Sequence, residues 1–308
     1  MSGLPVAIRA DMARARRLEW GTLAAMSTVV AAMYFTMGSS KAMQSALIED
    51  VLSLVPAITW LICARIEPRP ANDRWPFGRA GVMSLAFLIA AVALMMVGLF
   101  LVYESVTTLV LREHPTVPPV TIFGQQVWMG WLMIAALAYS VGPPMVMGRI
   151  KQPVARRLRD KVLHTDALMQ KADWQTGLAG ILGVLGIGMG LWWADSLAAL
   201  FIGASVLKDG VANTRIAAAE LLDGAPRELE SDEIAEEAKA LKARLEAMFP
   251  GGSARMRENG RYIEAMVEGV PGPDSLPPLD TLTGPDMPGW RLASLSFSPP
   301  RPDEGPED

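Results

Sequence analysis

Long apolar runs, separated by short clusters of arginine and lysine, occupy most of the first 222 residues of this 308-residue chain. A helix needs about 20 mainly apolar residues to cross a bilayer. Segments of that order lie near 18–38, 43–64, 80–103, 126–148, 165–191 and 194–222, and they predict six membrane-spanning helices. Several are imperfect. The second carries Glu49 and Asp50, the fifth carries Asp166, Lys171 and Asp173, and the sixth begins with Asp195 and becomes amphipathic after Lys208. An ionised group inside a membrane is costly, so helices interrupted in this way are what an internal polar pathway produces.

After about residue 225 the pattern changes. The run DEIAEEAKALKARLEAMF is amphipathic at helical period, and SARMRENGRYIEAMVEG and WRLASLSFSP have strand character. They predict a small α+β domain over 226–300, interrupted by the loop PGPDSLPPLDTLTGPDMPG and followed by a disordered tail at 301–308. So short a domain is expected to need a partner copy to bury its apolar face.

Basic residues set the orientation. The N-terminal segment 1–17 (Arg9, Arg14, Arg16, Arg17), the loop around Arg65, Arg69, Arg74 and Arg79, and the loop from Arg149 to Lys161 all rank as cytoplasmic, and a pair of spans separates each from the next. Six helices with both termini inside satisfy the rule, which predicts a multi-pass protein of the plasma (inner) membrane. Trp128, Trp131, Trp192 and Trp193 then fall at the outer boundary and Trp20 at the inner one.

Composition narrows the chemistry. With 51% hydrophobic residues, a soluble enzyme is excluded. The single cysteine, Cys63, has no disulfide or zinc-finger partner. No Walker A loop, HExxH or activated serine is present, so neither an enzyme nor a bound cofactor is expected. The net charge is −4, with the acid concentrated in the last third, and nucleic-acid binding has no support. Membrane lipid is the expected surrounding. Helix five is glycine-rich (GLAGILGVLGIGMG), which predicts close helix packing rather than a ligand site.

On helix two, Ser45, Glu49 and Ser53 share one face, with Asp50 about 100° further round. On helix five, Asp166, Met169 or Gln170, and Asp173 form a second polar stripe. Glu49 and Asp173 both lie about 12–15 Å into their helices at 1.5 Å per residue, so the two stripes can meet near mid-membrane. Clustered carboxylates in a low-dielectric site take up protons unless a cation neutralises them, and that competition is the basis of cation/proton exchange. The spacing leaves Lys171 open: either it pairs with Glu49 or Asp50, or it points away and snorkels. Met169 reads more readily as packing than as a ligand, and His114 and His164 as solvated loop residues near the membrane boundary. Glu104 reads as reaching the outer interface.

The stretch from Gly38 to Arg79, with its PANDRWPFGR loop, resembles the second helix and following loop of the cation diffusion facilitator (cation efflux) family. The run from His164 to Gly210 is similar to that family's fifth and sixth helices. The resemblance implies an all-α transmembrane bundle of six helices with a ferredoxin-like C-terminal cytoplasmic domain, here truncated. It also implies a homodimer and export of a divalent metal ion (Zn²⁺, Mn²⁺ or similar) in exchange for protons. Carried over position by position, the family's helix-two ligand pair falls on Glu49 and Ser53, and the helix-five pair on Met169 and Asp173. Asp50 can substitute by a small rotation of its helix, and Gln170 or Asp166 can take the place of the missing histidine. An oxygen-rich set without histidine suits harder ions such as Mn²⁺ or Mg²⁺ better than Zn²⁺. The alternative is a non-transporting membrane scaffold or regulator of the same fold, with Lys171 neutralising the acids.

Overall fold

The computed structural model describes residues 4–36, 41–112, 119–122 and 125–299, with backbone alone at 41–46, 119–122, 125, 127, 128, 187, 188 and 195. His114 and the 301–308 tail lie outside the described residues, as do the side chains of Ser45, Trp128 and Asp195. The chain is mostly helical: α1 Val6–Thr36, α2 Lys41–Leu52, α3 Leu54–Ile66, α4 Val82–Leu111, then strands β1 Pro119–Ile122 and β2 Gln125–Trp128, then α5 Met129–Leu158, α6 Lys161–Gly188 and α7 Ala194–Leu221. The C-terminal part adds α8 Glu236–Met248, β3 Ser253–Asn259, β4 Tyr262–Glu268, α9 Leu279–Thr283 and β5 Leu292–Ser298. Among the described residues, three helical stretches are long and apolar enough to cross a membrane: Leu47–Ile66, Val82–Leu111 and Met129–Leu158. The other three long helices, α1, α6 and α7, carry charges within their length, among them Glu19, Asp166 and Lys208.

The chain divides into two compact units. One comprises Ala10–Cys63 and Ala86–Thr214, and the other the described residues of Met1–Arg9, Ala64–Leu85 and Arg215–Asp308. In the first unit, Met26, Val29 and Met33 of α1 pack with Met133, Ala136 and Leu137 of α5 and Val184 of α6. A second cluster joins Leu94, Val97 and Leu101 of α4 to Met169 and Ala172 of α6 and Val206 of α7. Helices α4 and α7 meet backbone to backbone. A Cβ on Gly98 would lie 2.4 Å from the Leu207 nitrogen, and one on Gly210 would lie 2.4 Å from the Met95 Cα. Only residues without a side chain permit so close a crossing.

Three expectations are corrected here. The span expected from residue 126 begins as strand β2, paired antiparallel with β1, and the helix starts at Met129. The basic stretch from Arg149 is not a loop, because α5 continues through it to Leu158. Arg159 then turns the chain at φ 50°, and Asp160 caps α6 by accepting a hydrogen bond at Oδ1 from the Leu163 amide at 3.0 Å. Arginine, lysine, alanine and leucine are good helix formers, and charge alone does not break a helix. The second helix, expected as one rod, is interrupted at Ser53. Pro56 lacks an N–H and its ring crowds the carbonyl four residues earlier, at Leu52, which breaks the ladder there.

In the second unit the run SARMRENGRYIEAMVEG is a hairpin rather than one strand, because Asn259 and Tyr262 pair across Gly260 and Arg261. Gly260 takes φ 65° at the first loop position, where a type II′ turn requires glycine. The sheet order is β3-β4-β5, with β5 parallel to β4. Leu241 and Leu245 of α8 close its apolar face over Ala254, Ile263, Ala265, Val267 and Leu292.

Candidate functional site

Helix α6 runs antiparallel to the second span, and three contacts mark the pairing. The Ser53 hydroxyl lies 2.5 Å from Asp173 Oδ1, to which it donates, and 3.0 Å from the Glu49 carbonyl oxygen. Glu49 Oε1 accepts a hydrogen bond from the Thr176 hydroxyl at 3.0 Å. Further along, the indole Nε1 of the fully buried Trp60 donates to Asp160 Oδ2 at 2.8 Å. Because Asp160 also caps α6, that bond ties the start of α6 to α3, beyond the break at Ser53. The irregularity at Ser53 is therefore also the point of closest polar contact between the two acidic stripes.

Glu49, Asp50 and Asp173 are 5%, 8% and 5% exposed, so all three carboxylates are removed from solvent. Asp50 Oδ2 and Asp173 Oδ2 have no hydrogen-bond partner among the described residues. Among those residues no three His, Cys, Asp or Glu side chains are already gathered into a metal cage. Ser53 is buried, so its oxygen and the free carboxylate oxygens are the donors at hand.

The remaining predicted site residues fall elsewhere. Met169 is fully buried in the apolar cluster between α4, α6 and α7. Gln170 is fully buried and neither amide atom has a partner among the described residues. Lys171 is exposed, on the other side of α6 from Asp173, with no ion pair among the described residues; of its two placements, the structure shows the one that turns away from the acids. Asp166 does not join Glu49: its Oδ2 is bonded to Lys151 Nζ, which also reaches Glu19 Oε2 at 3.0 Å, and all three side chains are fully buried. Lys151 is thus not a solvated loop charge, and His164, read as a solvated loop residue, is 4% exposed because it lies in the first turn of α6.

Sequence reasoning missed Thr176, Glu19, Lys151 and the Trp60 to Asp160 bond. Thr176 follows Asp173 at i+3, so helical spacing could have found it. Glu19 is an acid within the run of α1 and was visible on the same ground as Glu49. Nothing in the sequence alone points Lys151 inward.

A family profile for the cation efflux transmembrane domain matches residues 21–222. The chain belongs to the cation diffusion facilitator family. Among curated relatives, a Mycobacterium tuberculosis protein named as a probable cation efflux system protein is 26% identical over 245 residues, covering 79% of this chain and 68% of its own. The cation-efflux pump FieF of Escherichia coli is 27% identical over 244 residues, covering 76% and 72%. The magnetosome protein MamB of a Magnetospira strain is 22% identical over 171 residues, covering 54% of each. This family is one of integral membrane transporters for metal cation efflux, and the apolar helices of the chain agree with that membership. A metal cation is the substrate class the family implies.

Proposed function

We propose that this protein exports a divalent metal cation from the cytoplasm by alternating access, in exchange for protons. The observation that carries the proposal is the buried contact of Ser53 with Asp173, which joins the second span to α6 at the two positions carried over from the family's ligand pairs. Glu49, Ser53 and Asp173 bind the cation. Asp50, with its free buried oxygen, completes the set from the same helix. Oxygen donors alone favour a hard ion, so Mn²⁺ is the proposed cargo ahead of Zn²⁺. Met169 packs and Lys171 faces away, so neither competes for the ion. That exposure also counts against a non-transporting scaffold whose acids Lys171 neutralises.

The chain acts as a transporter and not an enzyme. It crosses the membrane six times through α1, the α2 and α3 pair, α4, α5, α6 and α7, with both termini on the cytoplasmic side of the plasma membrane. It works as a homodimer, as the family resemblance implies. The test is flux in proteoliposomes. Mn²⁺ movement should depend on an imposed pH gradient and fall at least about a hundredfold in Asp173→Asn; Mn²⁺ flux indifferent to pH, or normal flux in that variant, refutes the proposal.

A further inference from the structure

Glu19, Lys151 and Asp166 take no part in the site at Asp173, yet burying three charges without a use is expensive. Lys151 Nζ binds one oxygen of each acid, at 3.0 Å from Glu19 Oε2 and through the ion pair with Asp166 Oδ2, and all three side chains are fully buried. The other oxygens, Glu19 Oε1 and Asp166 Oδ1, have no hydrogen-bond partner among the described residues, and neither do the Thr22 hydroxyl and both amide atoms of Gln170. Thr22 lies one turn from Glu19 on α1, and Gln170 lies one turn from Asp166 on α6. A Cβ on Gly148 would sit 3.2 Å from the Gln170 Cβ, so Gln170 faces α5, where Lys151 lies one turn further on.

We propose that Glu19, Asp166, Thr22 and Gln170 form a second cation station, in which the Lys151 ammonium is a tethered stand-in that yields Asp166 to an arriving divalent cation. A purely structural ion pair has its oxygens satisfied, whereas here two carboxylate oxygens of the pair, and a hydroxyl and a side-chain amide one turn away, stay unbonded among the described residues. With Lys151 in place the cluster holds one net negative charge, enough to attract a cation and too little to trap it. Its donors suit a hard ion such as Mn²⁺. Asp166 and Asp173 are about 10 Å apart along α6, on one face with Gln170 between them, so cargo released from one station is in reach of the other. The station rests on the proposed role of Asp173.

Mn²⁺ binding to the full-length protein in detergent, followed by calorimetry and by electron paramagnetic resonance, tests it. The Asp173→Asn background removes the first site. In that background Lys151→Gln should bind one Mn²⁺ at least ten times more tightly than the parent, and Asp166→Asn should abolish that binding. Glu19→Gln with Lys151→Gln keeps the cluster at one net negative charge, so it should fold like the parent, but with one ligand carboxylate gone it should bind Mn²⁺ more weakly than Lys151→Gln alone. In flux assays with Asp173 intact, Lys151→Gln should lower KM and kcat together, because the cargo is held rather than passed. Folded variants that gain no Mn²⁺ overturn the proposal, and so does loss of folding in the charge-balanced pair, which makes Lys151 a strut. Unchanged binding in Asp173→Asn alone refutes the first site instead, and leaves the Lys151 comparison to judge the second.

Discussion

Arg261 and Glu67 offer a quantitative test of what holds the C-terminal unit together. Arg261 donates one hydrogen bond from a terminal nitrogen to Glu67 Oε2 at 3.2 Å, and its Nε lies 3.0 Å from Oε1, an ion pair between side chains 2% and 6% exposed. At 3 Å and an effective dielectric constant near 20, the gross attraction is about 5 kcal/mol, and desolvation of both ions cancels much of it. The net worth of the pair is therefore small, but the cost of breaking it is not. Arg261→Met takes the guanidinium from a buried carboxylate that also bonds Tyr262, at a cost of about 3–5 kcal/mol. On a unit of this size that lowers the melting temperature by roughly 10 °C. Glu67→Leu should cost a similar amount, since it removes the carboxylate that faces a buried guanidinium. Both substitutions together should lie within about 1 kcal/mol of wild type, because no ion is left unpaired. Tyr262→Phe is the control for the third member. Thermal melts of the full-length protein, followed by tryptophan emission, measure the cycle. A loss below about 1 kcal/mol for Arg261→Met, or additive losses in the double variant, would show that the pair is solvated in practice and refute the reasoning.

Other consequences are open to measurement. Gly210→Ala places a methyl group 2.4 Å from the Met95 Cα, so α4 and α7 must separate, and overpacking of this kind costs about 1–3 kcal/mol. Ser205→Ala, exposed on the same helix, should leave the melt unchanged. Trp60→Phe removes the donor to Asp160 and leaves a small cavity where the larger indole was, and should lower stability by about 1.5–3 kcal/mol. Rescue of that loss by Asp160→Ala would contradict it, since Asp160 still caps α6. Burial, together with the Glu67 carboxylate, pushes the Tyr262 hydroxyl up to about 12. Its folded-state value lies above its unfolded one, so the contribution is intact below about pH 10 and is lost as pH rises towards 12. A spectrophotometric tyrosine titration should show an ionisation step towards pH 12 in the wild type that is missing from Tyr262→Phe. Arg157 holds the Asp11 carboxyl below its ordinary range through a hydrogen bond, so that contact persists in mild acid and weakens only as pH falls through the lowered value.

The readable parts of the sequence were those where one residue type broke an otherwise uniform background. Glu49 and Asp173 stand out because each is an acid in an apolar run, and helical spacing was enough to put Ser53 beside Glu49 and Gln170 beside Asp166. Lys151 was unreadable for the opposite reason. It sits among Arg149, Arg156 and Arg157, where one more cation looks like loop, and only the phase of α5 turns it inward. That phase depends on α5 continuing past Pro143 and Pro144, which a reading of the local sequence argues against. The hairpin at Gly260 was legible and was read too coarsely: Asn259 and Gly260 are a turn signal between two alternating runs. The long-range ion pair of the C-terminal unit was not legible at all. Arg261 and Glu67 are 194 residues apart, and no local pattern announces a contact at that separation.

The charges buried in the larger unit bear on how transport is coupled. Glu19, Glu49, Asp50, Asp166 and Asp173 are five of the carboxylates buried there, with Asp160 and Lys161, also buried, adding one charge of each sign; Lys151 is hydrogen-bonded to two of the five. Four formal negative charges then remain in a medium where each isolated ion costs several kcal/mol. On the proposed reading, a metal ion entering such a set displaces protons from the same oxygens, and exchange would follow from the shortage of cations bonded to these acids rather than from any single ligand. It follows that adding a fixed positive charge should uncouple the protein. Ser53→Lys places an ammonium beside Asp173 in the way Lys151 stands beside Asp166, so it should abolish Mn²⁺ binding at the first site and remove the pH dependence of what flux remains. Retention of pH-dependent Mn²⁺ flux in that variant would mean that the protons travel by another route.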